Sequence, residues 1–229
     1  MADTPRTNDL GQPIGWPLET ELPRPRPERV TLEGRYCTLR PLASEDGPGL
    51  WDAFSEDKTG AGWTYLPHGP FATEADFRGF IDSAAQSEDP LFFTVLMDDR
   101  PAGHATLLRI DEGQGVIEVG FIHFSPLIQR TPASTEAMFL LMAYVFDDLG
   151  YRRYEWKCDA LNAPSRKSAR RLGFTYEGTF RQATSYKGRN RDTAWFSILN
   201  SEWPVLKARF ERWLDPSNFD ASGNQKSSL

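Results

Sequence analysis

VIEVGFIHFSPLIQRTPASTEA, residues 116–137, reads as a buried strand that runs into a helix through a polar turn. Val116, Ile117, Val119, Phe121, Ile122 and Phe124 are the β-branched and aromatic residues that pleated, half-buried backbone favours, and Glu118, Gly120 and His123 interrupt them. Pro126 ends the strand. Pro132 suits the first position of a helix, where its missing N–H would be unpaired in any case, and Thr131 stands at the N-cap. The spacing of Met138, Leu141, Val145 and Leu149 predicts a helix over 133–148, with Gly150 as its C-cap. A strand that feeds the open amides of a helix, with Arg130 beside them, predicts a phosphate site at the junction.

Residues 129–137, QRTPASTEA, fall into register without a gap against a known signature. They resemble the R/Q-x-x-G-x-A-T-E-A coenzyme A motif of the GCN5-related N-acetyltransferases (GNAT), particularly the RimJ/RimL-like branch that acetylates ribosomal protein N-termini. Pro132 replaces the loop glycine. That change leaves the pyrophosphate to the N–H groups of Ala133, Ser134 and Thr135 and to the Arg130 side chain, in a turn with Gln129 and Thr131. Residues 162–174, NAPSRKSARRLGF, are similar to the family's N-x-x-S/A…G-F helix at the family's spacing. Either motif alone is weak, and the two together are specific.

The resemblance implies an α/β (α+β) fold: a mixed, mostly antiparallel central sheet, splayed near 119–124 and flanked by helices. It implies acetyl-CoA threaded into the splay as co-substrate, held by backbone at Ile122 and Phe124 and by the side chains of Asn162 and Ser165. The amine arrives from the other side and the acetyl group passes to it directly. The rival from another class is a non-catalytic acyl-CoA-binding or regulatory module, to which Pro132 and Ala169 both point; a longer acyl donor also fits the same motifs.

A chain of 229 residues accommodates one α/β domain with appendages. A formal charge of −6 and a pI near 5.2 argue against a nucleic-acid partner, whose binding needs a basic surface. Cys37 and Cys158 are far apart in predicted strands, so they read as buried thiols of a reducing compartment, not as a disulfide or metal pair. No metal cluster and no apolar run of membrane-spanning length is visible, and the expectation is a cytoplasmic protein, monomeric or homodimeric.

Residues 1–29 hold six prolines and form an arm, either disordered or draped on the body, with Ile14, Trp16 and Leu18 favouring partial docking. The acetyltransferase domain is expected over 30–215 and a loose polar tail over 216–229. Within the domain the pattern predicts strands over 30–39, 91–97, 103–110 and 151–158, with a hairpin at 98–101, and terminal strands over 175–181, 185–187 and 194–199 around a polar turn at 188–192. Helices are predicted around Leu50, from Thr73 through Ile81, after Asn162, and from Ser201 through Leu214.

Glu118 lies in an otherwise apolar strand, where a carboxylate is costly unless it faces a cleft or a cation. The bland reading is a solvated or paired face; the resemblance implies a base that takes a proton from the amine, directly or through water. Ser165 reads as capping chemistry or, where related enzymes carry a tyrosine and this chain has Ala169 four residues on, as the donor to the leaving sulfur. Trp63, Tyr65 and Phe71 are either a loop packed on the core or a wall of the acceptor pocket. His68 and His123 are candidate bases by residue type. Strand alternation puts His123 on the face opposite Glu118, unless a β-bulge reverses the parity. Arg189, Arg191 and Asp192 read as a solvated turn or an anchor for an acceptor carboxylate. The acceptor is an amine-bearing small molecule or a peptide or protein N-terminus. At pH 7 a lysine-type amine is neutral about 0.04% of the time and an α-amine roughly 14%, so a single weak base suits the α-amine.

Overall fold

A computed structural model describes residues 6–221 and 223–229; residues 1–5 of the arm lie outside them. Beyond a small hairpin of β1 (Arg6–Thr7) and β2 (Pro13–Ile14), the elements are β3 (Leu32–Glu33), β4 (Thr38–Pro41), α1 (Gly47–Ser55), α2 (Glu74–Gln86), β5 (Leu91–Met97), β6 (Arg100–Asp111), β7 (Val116–Phe124), α3 (Pro132–Ala143), β8 (Arg153–Asp159), α4 (Ala163–Arg171), β9 (Thr175–Tyr186), β10 (Arg189–Leu199) and α5 (Trp203–Leu214). The main sheet has eight strands in the order β3-β4-β5-β6-β7-β8-β10-β9. Only β7 and β8 run parallel. This is the mixed, mostly antiparallel sheet that the resemblance implies.

Local chemistry accounts for most boundaries. Asp98 and Asp99 take φ of 50° and 58°, the left-handed pair that a two-residue hairpin needs. The Thr73 hydroxyl accepts from the Asp76 amide at 3.1 Å and starts α2. After α3, one wider turn covers Tyr144–Asp148, and Gly150 at φ 66° stops the chain as its position predicted.

Helices cover both faces of the sheet. Ile117, Val119, Met138, Leu141, Tyr154, Trp156 and Phe210 belong to the core shared with α3, α4 and α5. Phe54, Trp63, Phe77, Ile81 and Phe92 form a second, aromatic core under α1 and α2.

Four expectations change. The strand predicted over 30–39 is split into β3 and β4, because the buried Glu136 carboxylate of α3 accepts from the amides of Arg35 (2.9 Å), Tyr36 (2.5 Å) and Cys37 (2.9 Å) and turns the chain there. The three short terminal strands are one long hairpin, β9–β10, whose bend at Gln182 is held by its amide on Asp192 Oδ1 at 2.7 Å. The tail folds back on α5: Trp213 Nε1 donates to Gln225 at 2.9 Å and Asn218 pairs with Ser227. The arm docks through arginines and backbone, with Arg24 Nε on Leu149 O at 2.9 Å and the Glu28 amide on the Tyr144 hydroxyl at 2.8 Å. Ile14, Trp16 and Leu18 stay exposed.

Candidate active site

The parallel ladder between β7 and β8 runs only from Val116↔Arg153 to Val119↔Trp156. Past that point β8 pairs with β10 alone, and β7 pairs with β6 alone. The facing edges, 120–124 and 157–159, therefore have no strand partner. Phe121, at φ 43°, is the additional residue in β7 between the pairs Gly120↔Thr106 and His123↔His104. This is a β-bulge, and it reverses the parity: Glu118 and His123 face the same side, toward α1 and α2. Regular alternation would have separated them. Ile122 and Phe124 turn to the α3 side, half-buried.

Glu118 is 6% exposed and is paired, as the bland reading required. Its Oε2 accepts from Lys157 Nζ at 2.8 Å, and Arg109 Nε lies at 3.5 Å. Lys157 also binds Glu155 Oε2 at 2.6 Å and sits 4.0 Å from the centre of the Trp195 ring. Arg153 continues the ladder, joining Glu155 at 2.7 Å and Glu177 at 2.5 Å. Burial pushes the Glu118 carboxyl above its usual range, and the Lys157 ammonium opposes that rise.

The α3 side carries the rest of the motif. Thr131 occupies the N-cap position of α3, but its hydroxyl donates back to Ile128 O at 2.7 Å and caps nothing. Ser134 Oγ likewise donates to Thr131 O at 2.8 Å. In helix geometry Thr135 is the first residue whose amide reaches an acceptor inside the helix, so the open first-turn amides are those of Ala133 and Ser134. The Thr135 hydroxyl accepts from Arg171 at 3.0 Å. Arg130 takes φ 62° and is exposed, and Gln129 Nε2 donates to Phe124 O at 2.7 Å. An exposed guanidinium beside open amides fits an anionic diphosphate such as that of coenzyme A.

Asn162 Oδ1 caps α4 by accepting from the Ser165 amide at 3.1 Å. The Ser165 hydroxyl accepts from Trp156 Nε1 at 3.0 Å, and its own proton is directed at the buried Cys158 thiol. Trp156 is the last residue of β8 in the parallel ladder. Ser165 is thus tied to the point where the strands part, on the face opposite Glu118.

The aromatic loop closes the α1/α2 side. Trp63 is buried against Phe54, Phe71, Phe77 and His123, and Phe71 packs on Phe77 and Phe80. Tyr65 reaches across, its hydroxyl on Leu161 O at 3.3 Å. Lys187 Nζ donates to Trp63 O at 2.7 Å and Arg189 to Thr64 O at 3.0 Å, so the charged hairpin tip holds this loop instead of standing free in solvent. A cleft of about 130 Å³ between α1 and the loop includes Phe54, Trp63 and Phe71 but no residue of β7 or β8.

His68, His104 and His123 are the chain's three histidines, and they meet in this aromatic layer. His68 stacks on Phe80 at 4.3 Å and His123 on Phe54 at 4.1 Å, with His104 between them. Burial lowers His68 to about 4 and His123 to about 3, and holds His104 well below the usual range. All three are held as neutral rings within that layer. Among the described residues no three His, Cys, Asp or Glu side chains converge as a metal site, and no helix is long and apolar enough to cross a membrane.

Sequence reasoning missed Lys157 and Trp156. Alternation in YEWKC, residues 154–158, was the available signal: Glu155 and Lys157 share one parity, and the apolar residues share the other.

A family model for the acetyltransferase (GNAT) domain matches residues 37–175. A crystal structure of a GCN5-related N-acetyltransferase from Brucella melitensis superposes with a TM-score of 0.90 at 52% identity, covering 92% of this chain and 97% of that one. The uncharacterized N-acetyltransferase p20 of Bacillus licheniformis is 29% identical over 178 residues, 76% of this chain and 98% of that protein. YnaD of Bacillus subtilis, described in the same words, is 27% identical over 140 residues, 61% of this chain and 81% of its own. With the signature helix, the splayed strands and these relatives in agreement, the chain belongs to the GNAT family of acetyltransferases and is an acyltransferase.

Proposed function

We propose that the enzyme transfers the acetyl group of acetyl-CoA to the α-amine of a peptide, a protein N-terminus or a small amino compound, as a member of the RimJ/RimL-like branch. The observation that carries this reading is the nature of the base. Glu118 is a carboxylate on the acceptor side of the splay, raised by burial but held down by a cation, while the three histidines are packed as neutral rings in the aromatic layer, His104 and His123 buried and His68 half-buried. A weak base suits an amine that is partly neutral at pH 7. Tyr65, whose hydroxyl reaches Leu161 O, and the packed pair Trp63 and Phe71 are assigned to the acceptor side.

Arg130 and the amides of Ala133 and Ser134 are assigned to the diphosphate, with Gln129, Thr131 and Thr135 shaping the turn. The unpaired edge at Ile122 and Phe124 and the Asn162 side chain are assigned to the pantetheine arm. The co-substrate supplies an activated acyl group on a good leaving thiolate. Ser165, whose hydroxyl oxygen is held by Trp156 and whose proton faces the Cys158 thiol, turns that proton toward the sulfur of the co-substrate; Glu118 receives the amine's proton.

Matched dipeptides test the acceptor, one with its α-amine blocked and one with its lysine side chain blocked. The expected result is a higher kcat/KM for the peptide that keeps its α-amine, and preference for the ε-amine would sink the reading. Arg130→Ala is expected to weaken acetyl-CoA binding several-fold and to flatten its salt dependence, measured by calorimetry at two salt concentrations. Unchanged affinity would move the phosphate site elsewhere.

A further inference from the structure

We propose that Lys157 is a positioning residue that keeps Glu118 ionised and aimed, by holding it together with Glu155 across the point where β7 and β8 part. The proposal rests on the reading of Glu118 as the base. Lys157 is the first residue of β8 beyond the last parallel pair, Val119↔Trp156. Its ammonium bridges to β7 just where the ladder hydrogen bonds stop, at 2.8 Å from Glu118 and 2.6 Å from Glu155. All three side chains are at least nine-tenths buried, with side-chain exposures of 7%, 8% and 10%. The Trp195 ring covers the ammonium from the neighbouring strand, at the register position Trp195↔Lys157.

The charges around Glu118 leave Lys157 without a substitute. From β6, Arg109 approaches to 3.5 Å, but its side chain is 65% exposed, so solvent screens it. From β8, Glu155 adds a second negative charge. Arg153 is already shared by Glu155 and Glu177. From the α1/α2 layer the nearby histidines are neutral. Without Lys157, Glu155 keeps Arg153 at 2.7 Å but Glu118 keeps only the exposed Arg109 guanidinium, so burial would hold a proton on Glu118, and a protonated Glu118 cannot accept one from an amine. With Lys157 in place, the proton lost by the acceptor nitrogen passes to the Glu118 carboxylate.

The test uses the full chain with carbon-13-labelled glutamate, following Glu118 by NMR titration alongside the pH dependence of kcat/KM. Lys157→Met is expected to move the Glu118 titration and the acid limb upward together by a pH unit or more, a tenfold loss of kcat/KM on the acid side. Glu155→Gln is expected to move both downward, which keeps the test alive if Lys157→Met does not fold, and Lys157→Arg to restore the wild-type limb. A Glu118 titration that stays in place in Lys157→Met and Glu155→Gln overturns the proposal. A titration that moves while the acid limb does not would support the clamp and refute Glu118 as the base, so the two failures are told apart.

Discussion

Two groups of titratable side chains, each centred on buried members, lie on the same face of the sheet, and they solve the same problem differently. Along β7 and β8 the ladder Glu118–Lys157–Glu155–Arg153–Glu177 keeps its charges and pairs them. A few residues farther along β7, beyond the bulge at Phe121, His68, His104 and His123 give up theirs and pack as rings among Phe54, Phe80 and Phe92. Burial alone would neutralise either set. What separates them is the partner: every carboxylate of the ladder has a cation within 3 Å, and the histidines have mostly aromatic neighbours. A polar group kept charged at a cost in desolvation is where proton chemistry belongs; one neutralised by its surroundings belongs to the wall.

The largest expected difference between the two sets is in catalysis. Glu118→Gln should lower kcat/KM by about 10²–10⁴-fold with acetyl-CoA affinity unchanged, whereas His68→Phe should leave kcat/KM within about threefold of wild type, since a neutral ring replaces a neutral ring. Equal losses in steady-state assays would erase the distinction. In stability, Lys157→Ala leaves the buried Glu118 with only the exposed Arg109 and should cost about 3–5 kcal/mol in urea denaturation; His68→Phe, which keeps the stack on Phe80, should cost less than about 1.5 kcal/mol.

The smallest effect is the pH dependence of folding. The histidines' folded pKa values lie below the ordinary histidine value of about 6.5, at about 4 for His68 and about 3 for His123. The unfolded chain therefore binds their protons first. Their contribution to stability is fully present above pH about 6.5 and falls as the pH drops from there toward 4. Denaturation free energies measured between pH 7 and 5 should decline with a slope that His68→Phe reduces by up to one proton. A slope that His68→Phe does not change would mean that His68 is charged in the fold.

How far the sequence was legible follows the range of the interactions. The strand, the turn and the start of α3 are written in neighbouring residues: β-branched and aromatic alternation, Pro132 at the first helical position and Gly150 at the end. Asn162 announced its cap three residues ahead, and the structure places its Oδ1 on the Ser165 amide. The role of Thr131 was misjudged because a hydroxyl at an N-cap has two local choices, and here it bonds Ile128 behind it instead of the helix ahead. The polar tail looked loose because polarity alone does not reveal that Trp213 offers an indole N–H for Gln225 to accept.

By itself the sequence determined the central strand and most of the helices, where the helix amides open beside Arg130, and that a carboxylate sits in an apolar strand. Periodicity and capping are decided within a few residues of each position. Tertiary structure alone decided that Glu118 meets Lys157, 39 residues away, that a bulge at Phe121 turns His123 to the side of Glu118, and that Trp156 fixes Ser165 at the splay. Each of these depends on the register of one strand against another. A one-residue shift in register exchanges the two faces of a strand, and the shift is chosen by the packing of the entire sheet between its two layers of helices.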